Sequence, residues 1–95
     1  MISQIIHVKV QPGKEAELEA LVAQLMHDVR ANEPGSFLDV RRVRGKPYTY
    51  LYYLSFTDQA AFDRYSKADY HLEMAPKALA LLDGEPEWEE LDAFD

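Results

Sequence analysis

Hydrophobic and polar positions change period several times along the chain. Residues 2–10 alternate, with Ile2, Gln4, Ile6, Val8 and Val10 in one row and Ser3, Ile5, His7 and Lys9 in the other. A period of two with many β-branched residues predicts a strand. Gln11-Pro12-Gly13 breaks it. Over residues 14–32 the spacing lengthens, and Leu18, Leu21, Val22, Leu25, Met26 and Val29 form the single stripe of an amphipathic helix. Glu15, Glu17 and Glu19 lie early and Arg30 late, as the helix dipole favours. Pro34 forces Glu33 out of the helical region, so the helix stops at Asn32-Glu33-Pro34-Gly35.

Alternation returns over residues 36–44 and again over 48–56, with Gly45-Lys46-Pro47 as the turn between two strands. In the second of these, Tyr50, Tyr52, Leu54 and Phe56 share one face and Leu51 and Tyr53 the other. Asp58 then reads as an N-cap opening a helix through Ala60, Ala61, Phe62 and Tyr65. After a less regular stretch, Leu72, Ala75, Ala78, Leu79 and Leu82 make a second helical stripe, with a break or kink expected near Met74-Ala75 because of Pro76. Asp83-Gly84 ends it, and residues 85–91 form a last strand anchored by Trp88 and Leu91, with Phe94 available to order the tail.

The order is β-α-β-β-α-β, an α+β, ferredoxin-like pattern: a four-stranded antiparallel sheet with both helices on one face. The helices cover only that face. The third strand is bulky and apolar on both, so its second face asks for another cover, most simply a second copy of the chain. A homodimer packed sheet to sheet is therefore expected.

Composition narrows the function classes. The chain has 95 residues and reads as one domain over 1–95. It has no cysteine, which excludes a disulfide framework, a thiolate nucleophile and a Cys-based zinc site. No apolar run has the roughly 18 residues of a membrane span, and Met1-Ile2-Ser3-Gln4 does not read as a signal peptide, so a cytoplasmic protein is expected, away from membranes. A net charge of -7 argues against nucleic acid as a partner. That charge is uneven: residues 1–50 carry +1 and residues 51–95 carry -8. Arg41, Arg42, Arg44 and Lys46 form a basic cluster, and Asp83, Glu85, Glu87, Glu89, Glu90, Asp92 and Asp95 an acidic one. Either these are solvated stretches, or each basic edge faces the acidic edge of a partner copy and sets the dimer's register.

Candidate chemistry is sparse. Neutral His71, beside Tyr70, can take a phenolic proton, or it is simply a half-exposed histidine at a helix junction. His7 lines either a pocket or the dimer interface, and His27 lies off the apolar stripe, at the surface. Tyr50, Tyr52, Phe56, Phe62, Tyr65 and Tyr70 either form a flat slot for an aromatic ligand or are core and interface residues. The three histidines have no metal spacing, so no metal is expected. Gly13, Gly35, Gly45 and Gly84 are isolated, so no phosphate loop, nucleotide or flavin is expected either.

Val10-Gln11-Pro12-Gly13-Lys14-Glu15, Asn32-Glu33-Pro34-Gly35 and Phe56-Thr57-Asp58-Gln59-Ala60-Ala61-Phe62 together resemble the antibiotic biosynthesis monooxygenase family over nearly the whole chain. The resemblance implies a dimeric α+β barrel. It also implies an activity among cofactor-independent oxygenation of phenols and quinols, haem degradation, or isomerisation of a small oxygenated metabolite, with a non-catalytic ligand-binding or dimerisation module as the alternative. The family's third strand usually ends Glu-Glu-Trp; here Leu54, Ser55 and Phe56 stand there, which argues against haem. Tyr65 stands where the family often has a histidine. Direct counting sets Tyr70 on the family's second histidine, and a one-residue shift sets His71 there. The expectation is cofactor-free oxygenation of an aromatic, phenol- or quinol-like molecule. His71, Tyr70 and Tyr65 would handle protons, and Tyr50, Tyr52, Phe56, Phe62 and His7 would bind substrate.

Overall fold

The computed structural model describes residues 1–94, so Asp95 of the acidic cluster lies outside the described residues. The elements run β1 (Ile2–Lys9), α1 (Glu15–Asn32), β2 (Phe37–Arg42), β3 (Thr49–Phe56), α2 (Gln59–Lys67), α3 (Asp69–Ala80) and β4 (Glu87–Leu91). The strands form one antiparallel sheet in the order β2-β3-β1-β4, the ferredoxin-like arrangement. The most apolar strands, β1 and β3, are central. The edges β2 and β4 do not pair with each other, so the sheet is open. This corrects the expected barrel, because closure needs edge-to-edge hydrogen bonds that these strands do not make.

Register decides which side chains meet the helices. Ile2, Gln4, Ile6 and Val8 of β1 lie opposite Phe56, Leu54, Tyr52 and Tyr50 of β3. Directly opposed residues share a face, so this double row lies beneath the helices. The α1 stripe packs on it as its spacing predicts: Leu18, Val22, Leu25 and Val29 are buried, with Leu21 and Met26 at the margin. The other face carries Ile5, Leu51, Tyr53, Phe37 and Leu91, and Phe37 and Leu91 are 44% and 37% exposed.

Three polar ties hold the layers in place. Glu33, buried at the end of α1, accepts from Arg64 Nε at 3.0 Å and Nη2 at 2.7 Å, joining α1 to α2. Gln11 Nε2 donates to the carbonyls of Ala80 and Leu82, capping the end of α3, while Asp83 N donates to Lys9 O. Arg42 pairs with Glu19 of α1 and Arg41 with Asp39 of its own strand. The charge pairing expected across a dimer therefore loses two of its arginines to partners within the chain.

The C-terminal third departs most from expectation. α3 runs unbroken through Pro76. Proline removes the hydrogen bond to the carbonyl four residues back, that of Leu72, but both residues lie on the exposed side, where water can solvate the carbonyl. The expected stripe is also rotated. Of that stripe Ala78 and Leu82 do pack on the core, but they are joined there by Tyr70, Met74 and buried Leu81, while Leu72 and Leu79 are each 55% exposed. Ala68, with extended backbone between α2 and α3, resets the helix so that this second, equally periodic row faces α1. β4 is exposed along its length; Trp88 is 60% exposed and Phe94 wholly so, and neither anchors the chain. No helix among the described residues is long and apolar enough to cross a membrane.

Two predictions follow from this packing. In urea unfolding monitored by circular dichroism, Leu25→Ala loses about 2–5 kcal/mol, as expected for a buried leucine. Leu79→Ala stays within about 0.5 kcal/mol, the range of surface changes. Equal losses would show the outer face of α3 to be covered. In the same assay Pro76→Ala stabilises the protein by about 1–3 kcal/mol, by restoring a helical donor.

Candidate functional site

Three elements bring the aromatic side chains together. Alternation along β3 aims Tyr52 and Phe56 at the helices. Asp58 accepts from Ala61 N at 2.8 Å and so starts α2 in a fixed rotation. That rotation sets Phe62 edge-on to Phe56, with ring centres 5.3 Å apart, and Tyr65 over Phe56 at 4.9 Å. The turn at Ala68 then brings Tyr70 and His71 to the same tyrosine, with ring centres 6.4 and 4.5 Å from Tyr65. Tyr65 is the hub, touching four of the other predicted rings.

Tyr70 and His71 are consecutive on α3 and both lie against Tyr65. Tyr70 lines a groove of about 210 Å³ between α1 and α3, with Leu21, Leu25, Asp28 and Met74. His71 packs on Tyr65. Phe62 lines a second hollow of about 250 Å³, with Ile2, Gln4, Gln59 and Glu90 at the end of β1. The rings pack on one another between these hollows rather than around an open slot.

Three buried polar atoms here have no hydrogen-bond partner among the described residues: His71 Nδ1, Tyr70 Oη and Gln4 Oε1. An unmatched buried polar group costs stability, so three in one layer mark it as unlike an ordinary core. Burial holds the His71 imidazole below its usual pKa, against a smaller upward pull from the Ser66 backbone, which favours the neutral ring at pH 7. Burial pushes the Tyr52 phenol up to about 12, with a smaller push from Tyr50. It also raises Tyr65, helped by Tyr70 and Tyr52, and Tyr70, helped by the charges of Glu33 and Asp28. The layer therefore holds one neutral base and several tyrosines fixed as hydrogen-bond donors.

Two predicted binding residues lie elsewhere. His7 is on the opposite face of the sheet, 3.0 Å from Glu89 Oε2. Tyr50 is on the helix side, but its hydroxyl donates to Glu19, which Arg42 also holds. Gln4 is the residue that pattern reading passed over. Its signal was present, as the one polar side chain in the row Ile2, Gln4, Ile6, Val8, Val10. Among the described residues no group of three or more His, Cys, Asp or Glu gathers to hold a metal.

The family model described as antibiotic biosynthesis monooxygenase matches residues 1–77. A Caulobacter crescentus protein assigned by name to the antibiotic biosynthesis monooxygenases has a TM-score of 0.91 at 28% identity, covering 99% of this chain and 90% of that one. A mutant of SnoaB, a cofactor-independent oxygenase from Streptomyces nogalater, has a TM-score of 0.80 at 24% identity, covering 99% and 93%. A conserved protein from Methanosarcina mazei has a TM-score of 0.85 at 22% identity, covering 95% and 89%. No curated protein matches the chain. Because the family match spans most of the sequence and the shared fold extends over nearly all of it, the chain belongs to the antibiotic biosynthesis monooxygenase family.

Proposed function

We propose that the protein is a cofactor-independent monooxygenase of a phenol- or quinol-like aromatic molecule. The observation that carries this reading is the half-buried His71, kept neutral by burial and packed on Tyr65 among the buried phenols. His71 takes the phenolic proton of the substrate, and the resulting phenolate is the electron-rich species that reacts with dioxygen. The substrate supplies all four electrons: one oxygen atom enters the ring as a quinone carbonyl, and the other leaves as water. Tyr65 and Tyr70 donate hydrogen bonds to substrate oxygens, and Tyr52, Phe56 and Phe62 present ring faces. Access requires the packed rings to part, joining the hollows on either side of them. The likeness to SnoaB in fold supports the reaction class.

A second reading has its own support. The rings fill the layer, which suits a non-catalytic binding or dimerisation module. Either way the uncovered sheet face supports a homodimer, because Phe37 and Tyr53 stack there at 5.6 Å beside half-exposed Ile5 and Leu51.

Oxygen uptake with a panel of quinols and hydroxylated polyaromatics tests the activity. Turnover is expected, and His71→Ala lowers kcat/KM by about 10²–10⁴, the usual contribution of a general base. Since the folded imidazole titrates below 6.5, the base form persists into mildly acidic solution, so the acid limb of the wild-type profile falls below pH 6.5. Absence of turnover across the panel, or full activity in His71→Ala, favours the module. For the dimer, sedimentation of the wild type gives a dimer at micromolar concentration and Tyr53→Arg gives a monomer; a monomeric wild type overturns it.

A further inference from the structure

The basic cluster of the sequence does not enter the aromatic layer, and it lines a cleft of its own. The β2–β3 loop folds toward the start of α1 and borders an open surface cleft of about 690 Å³. Arg42, Arg44 and Lys46 line it together with Val43, Tyr48 and Glu19. The charges are not equivalent. Glu19 is satisfied by Arg42 Nε at 2.9 Å, by Arg42 Nη2 and by the Tyr50 hydroxyl, and these partners hold its carboxyl below the usual range. Glu15, also at the cleft, accepts from Gly13 N. Arg44 and Lys46 make no ion pair among the described residues. The cleft thus holds three cations, Arg42, Arg44 and Lys46, against two carboxylates, Glu15 and Glu19, and Arg44 and Lys46 are the cations without an ion pair among the described residues.

Tyr48 supplies the other half of the observation. It is the non-glycine residue with positive φ among the described residues, at +60°, and its side chain is 45% exposed at the cleft. A bulky residue in the left-handed region is strained, and such strain concentrates where a side chain is held for a purpose other than stability. Its backbone is fixed from behind, since Tyr48 O accepts from Val10 N at 2.8 Å. The loop therefore holds an aromatic ring in place over a cationic, partly apolar hollow.

We infer that the cleft beneath the β2–β3 loop binds a small aromatic carboxylate, with its ring against Tyr48 and Val43 and its carboxylate on Arg44 and Lys46. A planar carboxylate matches the guanidinium fork of Arg44, and an aromatic body matches the exposed phenol ring. An inorganic anion would use only the charged half. The site is separate from the His71 layer, so it stands or falls independently of the proposed oxygenase activity.

Titration of the full chain with 1-naphthoate, followed by amide NMR shifts, tests it. Saturable shifts are expected at Gly45, Lys46, Tyr48 and Thr49. Arg44→Ala/Lys46→Ala weakens binding by at least about tenfold, a loss of one decade in Kd. Tyr48→Gly relieves the left-handed strain, so it melts no lower than the wild type while also losing about a decade of affinity. Uncharged 1-naphthalenemethanol and inorganic phosphate each fail to saturate the same amides. No saturable shift at these residues with naphthoate, shifts centred on Tyr65 and His71 instead, equal saturation by phosphate, or unchanged affinity in both variants would overturn the inference.

Discussion

Ile6 lies opposite Tyr52 and Val8 opposite Tyr50, and a slip of β3 by one residue against β1 would turn its row through the sheet. Tyr52, Leu54 and Phe56 would then face away from the helices, and Ser55, Tyr53 and Leu51 would take their place. The α1 stripe would lose its partner surface and Phe62 and Tyr65 would have nothing to pack on. The register of β1 against β3 is thus the constraint from which the helix layer, the aromatic cluster and the exposed second face all follow. It is specified because the row facing the helices is the larger and more deeply buried of the two, although the second face also carries Ile5, Leu51 and Tyr53. Phe56 and Leu54 are almost wholly buried, whereas Lys9 and Thr49 end the strands in solvent or half-exposed.

The same burial shapes the chemistry. Removing His71 and the tyrosines from water penalises their charged forms, which leaves a neutral imidazole among neutral phenols. Nδ1 of His71 and Oη of Tyr70 are buried without partners in a layer whose rings otherwise pack well. A protein that uses such groups on a substrate accepts this cost when the substrate is absent. At the other end of the sheet the polar balance is reversed: Glu19, Arg42 and Tyr50 satisfy one another and close the core beneath the β2–β3 loop. The two regions therefore suit different tasks.

Strong periodicity was legible where only one reading was possible. α1 has a single apolar stripe, and β1 and β3 alternate cleanly, so their faces follow from spacing alone. α3 was not legible in this way, because the expected row Leu72-Ala75-Ala78-Leu79-Leu82 overlaps a second helical row, Tyr70-Met74-Ala78-Leu81, and the chain contains no local reason to prefer one. The choice is made by α1, which lies beside α3 and accepts the Tyr70 row. Pro76 reads locally as a breaker, yet its missing donor falls on the solvent side, where the cost is smaller. The gathering of the β3 and α2 rings was legible from the β3 alternation and the Asp58 cap, whereas the place of Gln4 beside them was hidden by its membership in an apolar row.

By itself the sequence determined the element order, the split βαβ topology, the helix-facing rows of β1 and β3, and the family, because each rests on local period, turn residues or short motifs. Only the tertiary structure decided that the sheet is open, that Arg42 pairs with Glu19, that His7 lies across the sheet from His71, and that Tyr70 and His71 both lie against Tyr65. These are distances between residues far apart in sequence. They depend on how helices rotate and pack on the sheet, and no period along the chain encodes that rotation.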